Sequence, residues 1–264
     1  MTIGKVIEKK VIEKTGGRSL LSDQAHEAVQ SMIVRGALAP GARISEPELQ
    51  ARLGIGRTPL REAMLRLAEQ GLVSIVPQSG SFVAPIQLDR VEEAQFVREH
   101  LECAIIREVA ARIDPAGVQA LRSNLAGQRE AARGGDAEGF YALDEALHAG
   151  FAEMAGRPGV WRLIRQGKLH MDRVRWLGLP MHDQIPRLIA QHETVLAALA
   201  KHDADGAEAA LRLHLREVFT TIQVFRIWAS IPRGREPCAR GRAEPARAGR
   251  GRNRPREGAR SEGT

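Results

Sequence analysis

Cysteine is scarce in this chain. Its 264 residues include only Cys103 and Cys238, far apart and in no C-x-x-C spacing. That argues against a disulfide framework and makes a cytoplasmic location the expectation. Aromatic residues are few as well, 4% of a chain that is 43% hydrophobic. The core must therefore be built from Ala, Leu, Ile and Val, a composition that suits packed helices. No apolar run reaches the ~18 residues of a membrane span, and the N-terminus lacks the short apolar core of a secretory signal, so no membrane partner is expected. The main body also lacks a strong charge of one sign. Of the formal +7, residues 233–264 hold +6, from ten Arg and four Glu, which leaves +1 for residues 1–232. The tail is rich in Arg, Gly, Pro and Ala with no apolar period, and is expected to be disordered. It either adds a non-specific attraction to DNA phosphates or has no specific role. Residues 1–19, with five basic and two acidic groups, form a short, flexible basic arm in this reading. Cys103 lies in a helical pattern and fits a small core residue. The length allows two domains.

What the chain does have is an ordered run at residues 45–84. Ser45 and Glu48 have capping-box spacing and start a helix. Leu49 and Leu53 give that helix an apolar side, and Gly54 stands where a residue of positive φ ends it. Gly56 or Thr58 can cap a second helix, with Pro59 in its first turn, where a missing N–H costs nothing. Leu60, Met64 and Leu67 follow at i, i+4 and i+7 as a buried stripe, and Gly71 ends the helix. Arg57 and Arg61 share a face near its N-terminus. Residues 73–76, a turn at 77–80 and residues 81–84 make a hairpin. Helix, three-residue turn, helix and hairpin is the order of a winged helix-turn-helix, which sets its second helix in the DNA major groove with the turn as a wing.

These residues resemble the DNA-binding domain of the GntR family of bacterial transcription regulators. The resemblance rests on Gly36-Ala-Leu-Ala-Pro40-Gly41, Glu48-Leu49, Leu53-Gly-Ile, Arg57-Thr-Pro-Leu-Arg61-Glu-Ala and Glu69-Gln-Gly71-Leu-Val. It spans about residues 20–86. It implies that Arg57 and Arg61 read guanines, that Thr58 belongs to the DNA-contacting helix end, and that the wing around Gly80 touches the minor groove. Two residues depart from the family pattern. Gly56 replaces a frequent Ser that offers a phosphate contact, and Ser79 stands where an Arg is usual before the wing glycine.

From residue 88 to 232 the pattern is wholly helical. Helices are expected over 91–113, 115–134, 136–155, 158–177, 182–201 and 203–231, an all-α bundle of about six. The first has Phe96, Val97, Leu101, Ile105 and Val109 at helical spacing. Asp144 and His148, four apart, share one helical face. His192 and His214 lie roughly equidistant from a turn near residue 202, so antiparallel helices would bring them together. Three imidazoles and a carboxylate suit Zn²⁺, Ni²⁺ or Mn²⁺ and leave positions open for water or ligand. On spacing alone, four unrelated polar residues on exposed faces account for the pattern equally well.

The bundle resembles the FadR-type C-terminal ligand-binding (FCD) domain. The matching stretches are Phe140-Tyr-Ala-Leu-Asp144-Glu-Ala-Leu-His148, His192-Glu-Thr-Val-Leu-Ala-Ala-Leu and the Ala207 to His214-Leu run. The resemblance implies that Asp144, His148, His192 and His214 hold a divalent metal ion and that Arg98 pairs with a carboxylate effector; on spacing, a surface ion pair with Glu102 serves Arg98 as well. The chain is thus expected to be a ligand-responsive regulator, not an enzyme. It would be a homodimer on double-stranded DNA at a palindromic operator, with a metal-dependent site for a small organic acid. The alternatives are a metal-dependent hydrolytic enzyme fused to a DNA-binding domain, and an effector-independent architectural DNA-binding protein.

Overall fold

The computed structural model describes residues 18–181 and 183–230. The first unit runs α1 (Arg18–Val34), β1 (Arg43–Ile44), α2 (Glu46–Leu53), α3 (Arg57–Glu69), β2 (Val73–Val76) and β3 (Gly80–Val83). α2 starts as its sequence directs, the Glu48 N–H donating to Ser45 Oγ at 3.4 Å, and it ends at Gly54 with φ 68°. α3 begins at Gly56, which offers no side-chain cap, so Thr58 is a helical residue and not the cap. Gly71, with φ 73°, turns the chain out of that helix. The hairpin has the expected antiparallel pairing, Ile75 opposite Ser81 and Val76 opposite Gly80. A third, unforeseen strand joins it: β1 pairs with β3 through Arg43 and Phe82. Two residues are too short for an alternating pattern to register. Val29, Ile33, Leu49, Leu53, Leu60, Met64, Leu67 and Val83 close one apolar core under the sheet.

The second unit has eight helices among the described residues: α4 (Leu88–Arg112), α5 (Pro115–Arg133), α6 (Ala137–Met154), α7 (Pro158–Gly167), α8 (Leu169–Gly178), α9 (Gln184–Leu199), α10 (Ala204–Leu215) and α11 (Glu217–Ser230). Asp114, Asp136 and Asp203 cap α5, α6 and α10, each accepting from a glycine N–H three residues on at 2.7–2.9 Å. Two expected helices are each broken in two, at Lys168 and at Arg216. The second break carries no Pro or Gly; the first follows a single Gly167 and holds the buried Lys168 ammonium, paired with acidic groups of α6 and α8. Ile105, Val109, Leu147, Phe151, Val195, Leu199 and Leu211 form the bundle core.

Two expectations need correction. The basic arm was set at 1–19, but α1 already starts at Arg18; residues 1–17 lie outside the described residues, as do His182, Cys238 and the tail 233–264. The apolar stripe of α4 is displaced: Ile105 and Val109 are buried, but Phe96 is 65% exposed and Val97 46%. The first half of α4 buries Val91, Gln95, Arg98, Glu99 and Glu102. Hydrophobic period names the buried face only where the interior is apolar, and here it is not.

Candidate DNA-reading surface and buried metal centre

On α3 the division of faces is clear. Leu60, Met64 and Leu67 are buried, while Arg57, Thr58 and Arg61 are exposed at the N-terminal end. Orphan N–H groups and the positive end of the helix dipole add to that end's attraction for phosphate. Gly80 closes the wing turn with φ 109°, and the guanidinium of Arg43 from β1 lies 3.4 Å from where a Cβ would project at Gly80. An exposed cation thus reaches the wing from the strand that the sequence pattern did not disclose. The signal available was one Arg next to the Gly41 turn.

Within the bundle, α6 supplies Asp144 and His148, α9 His192 and α10 His214. All four are buried, and one donor atom from each lies within 4.8 Å of the others. The tautomers follow from the hydrogen bonds. Glu102 Oε2 can only accept, so the His148 Nδ1–H donates to it at 2.5 Å. Asn124 Nδ2 donates to the Leu143 carbonyl and Gln128 Nε2 to Asn124 Oδ1, which turns Gln128 Oε1 toward His192 Nδ1 at 2.8 Å. Gln191 Nε2 donates to the Glu217 carboxylate, so its Oε1 accepts from His214 Nδ1 at 3.1 Å. Each imidazole thus commits its Nδ1–H to an acceptor and, when neutral, turns an Nε2 lone pair inward. His214 Nε2 lies 3.2 Å from both His148 Nε2 and His192 Nε2. Three lone pairs at that spacing repel unless a cation lies among them. Donors about 2.1 Å from one ion are themselves about 3.0–3.4 Å apart at tetrahedral or octahedral angles. The buried Asp144 Oδ1 has no hydrogen-bond partner, 3.5 Å from His192 Nε2. The donor set and this orphaned oxygen fit a divalent ion.

Charge is handled in the shell behind these groups. Burial works to raise the carboxyls of Glu102 and Asp144, but nearby cations win. Arg98, helped by the hydrogen bond from His148, holds Glu102 down to about 2, and Arg175 holds Asp144 well below the usual carboxylate range. Burial pushes His192 down to about 3, although Asp144 opposes it, and His214 well below its ordinary value. Arg98 does pair with Glu102, Nε donating to Oε1 at 2.6 Å, but both are buried. The pair is not at the surface, and Arg98 also lines a cavity with Tyr141, Arg175, Gln184, His214 and Thr221. The two roles considered for Arg98 are therefore compatible. The structure brings all four sequence-derived ligand candidates together and sets Arg98 beside them. Gln128, Gln191 and Arg175 were not expected there, and Glu102 was expected only as a surface partner of Arg98, not as the acceptor for His148. Gln191 adjoins His192 in sequence, but Gln128 and Arg175 reach the site only through tertiary packing.

Comparison with known proteins divides the chain in the same two parts. Residues 21–83 match the model described as bacterial regulatory proteins, gntR family, and residues 93–217 match the FCD domain. An uncharacterized HTH-type transcriptional regulator in an unstable DNA locus of Streptomyces ambofaciens is 39% identical over 213 residues, covering 81% of this chain and 89% of that protein. The HTH-type transcriptional repressor RspR of Escherichia coli (strain K12) is 33% identical over 206 residues, 78% and 90% of the two chains. Among solved structures, E. coli McbR/YncC superposes with a TM-score of 0.65 at 22% identity, covering 78% of this chain and 98% of that one, a likeness of fold.

Proposed function

The chain belongs to the gntR family of bacterial regulatory proteins, with an FCD domain behind its DNA-binding domain, and from that premise we propose that it is a metal-dependent, effector-responsive regulator that binds a palindromic operator as a homodimer. Arg57 and Arg61 reach base edges in the major groove, each bidentate arginine–guanine pair discriminating by ~1–3 kcal/mol. Thr58 at the same helix end contacts the backbone. Gly80 lets the wing approach the adjacent groove, with Arg43 supplying the charge. The DNA partner implies a cytoplasmic location, and among the described residues no helix is long and apolar enough to cross a membrane.

Asp144, His148, His192 and His214 hold a divalent ion of the Zn²⁺, Ni²⁺ or Mn²⁺ class. Bound there, the ion supplies a Lewis-acidic position for a carboxylate. Arg98, whose Nη2 is buried without a partner, fixes the effector's orientation. The observation that carries this reading is the convergence of three inward-facing Nε2 atoms and the orphaned Asp144 oxygen. α8 links the site to the DNA-reading unit: Arg175 reaches Asp144, and Arg173 donates to the Ala84 carbonyl at 2.7 Å and the Pro85 carbonyl at 3.4 Å in the connection between the units.

Two measurements on purified protein test this. Metal analysis should give one divalent ion per chain, lost in His214→Ala. Fluorescence anisotropy on operator and random DNA should show Arg61→Ala losing operator affinity at least tenfold more than random-DNA affinity. Equal losses on both DNAs would reassign Arg61 to a phosphate contact, and absence of metal from the wild type would remove the metal-dependent part of the reading.

A further inference from the structure

Arg175 occupies an unusual position. It comes from α8, is 13% exposed, and its Nη2 donates to Asp144 Oδ2. Its Nη1 donates to Glu145 Oε1 at 2.7 Å and approaches Asp172 Oδ1 at 3.4 Å, while the guanidinium lies 4.9 Å from the centre of the Tyr141 ring. Of these three carboxylates, two have a second cation. Lys168 Nζ lies 2.8 Å from Glu145 Oε2 and 2.8 Å from Asp172 Oδ1. Asp144 has no such substitute. If Arg175 swung away, Glu145 and Asp172 would still share the Lys168 ammonium, whereas Asp144 would be left with no cation.

The cavity beside it gives the second observation. Arg98 from α4 and Arg175 from α8 both line it, and the Arg98 Nη2 is buried with no partner. Its volume is about 30 Å³, room for one or two waters and too small for an organic acid. Something lining it must move for an effector to enter. The charge count points to what enters. Glu102, Asp144, Glu145 and Asp172 face Arg98, Lys168 and Arg175. A divalent ion alone would reverse the sign of this buried cluster, whereas a divalent ion with a dianion leaves its net charge unchanged. Reversing a buried charge is costly.

We propose that Arg175 is the resident cation of the metal-free site, holding Asp144 through Oδ2 until a divalent ion at the free Oδ1 takes over that charge and repels the guanidinium, and that the released guanidinium then binds the second carboxylate of a dicarboxylate effector whose first carboxylate lies at Arg98. This rests on the metal-site reading above and adds to it a competitor for the metal and a specificity residue for the ligand. Loss of a merely structural ion pair weakens a neighbouring site; loss of a competitor tightens it.

Calorimetry on the full chain separates these outcomes. Zn²⁺ alone is titrated into metal-stripped wild type and Arg175→Gln, then succinate and propionate into each zinc-loaded protein. Zinc should bind Arg175→Gln at least fivefold tighter than wild type. Wild type should prefer succinate over propionate by at least tenfold, and the variant should hold the two within about twofold of each other. Zinc affinity unchanged or weaker in Arg175→Gln, with wild type binding zinc stoichiometrically, overturns the proposal and leaves the metal site standing. Zinc binding by neither protein overturns both, and binding by the variant alone supports the proposal. If Arg175→Gln does not fold, ¹⁵N NMR of the arginine side chains in wild type decides, with Arg175→Lys for assignment. The Arg175 Nη–H groups should lose exchange protection when zinc is added and regain it with succinate; protection unaltered by zinc overturns the proposal.

Discussion

His192 shows that a ligand's direction is decided by groups that need not touch the metal. Its Nε2 faces inward because Gln128 accepts from Nδ1 at 2.8 Å, and Gln128 is turned by Asn124. Replacing Gln128 by Leu keeps the volume and frees His192 to take the other tautomer. Metal affinity should fall about 10–100-fold, the usual cost of removing such a support, with fold retained by circular dichroism; unchanged zinc affinity by calorimetry would show that packing alone orients the ring. Acid stability follows from the same burial. His192 is pushed down to about 3 by burial and His214 is lowered for the same first reason, whereas an unfolded imidazole titrates near 6.5. Between those values the unfolded chain holds protons that the folded chain lacks, so stability falls as pH falls, by up to ~1.4 kcal/mol per unit for each group. Glu102 and Asp144, lowered in the fold, act in the same direction below about pH 4. The melting temperature of metal-stripped protein should therefore drop steadily from pH 7 to pH 5; a level curve would mean that water reaches the imidazoles. The metal candidates were legible through the family resemblance, since the shared helical face of Asp144 and His148 and the turn flanked by His192 and His214 left unrelated polar residues open as an alternative. The bonds of Glu102 to His148 and of Gln128 to His192 were not, because a hydrogen bond across 46 or 64 residues leaves no local pattern.

At the scale of the element, α8 deserves separation from α7. One helix over 158–177 was expected, and the break at Lys168 makes α8 a separate helix. It can then present Arg175 to Asp144 and Arg173 to the carbonyls of Ala84 and Pro85. Trp176 of the same helix lies under Arg35 at 5.4 Å from the ring centre. Burial lowers Arg173 to about 10, so it remains a cation at neutral pH and its carbonyl partners matter. Arg173→Met should leave metal content and basal operator binding intact while removing the change in operator affinity that ligand produces. That coupling is commonly ~1–3 kcal/mol, or 5–150-fold. Anisotropy with and without zinc and succinate measures it, and a full response in the variant would exclude this route. The face of α4 was misread for a related reason. Its buried half carries Gln95, Arg98 and Glu102 because the site lies there.

For the whole molecule, the exposed apolar residues become the question. Phe96 and Leu213 are each 65% exposed and Val97 46%, on α4 and α10, which pack together within the bundle. Large side chains left in water in this way favour a partner surface. We expect a second copy of the chain there, since a palindromic operator is read by two-fold-related recognition helices. Phe96→Glu should shift the mass measured by light scattering from dimer to monomer and weaken operator binding more than tenfold at nanomolar protein. A dimer that survives the change would move the interface elsewhere.

Local grammar sufficed for the winged helix-turn-helix and for the helical character of the bundle. Caps, glycines of positive φ and apolar period act within a few residues: Ser45, Gly54, Leu60 and Gly71 behave in the fold as they read in the chain. Tertiary structure alone decided which way the imidazoles point, that Arg98 and Glu102 pair in the interior, and that Arg175 meets Asp144 from 31 residues away. The physical reason is burial. Taking water from a charged group makes its remaining partners decisive, and those partners come from whichever helices packing brings near, a choice that short-range spacing does not record.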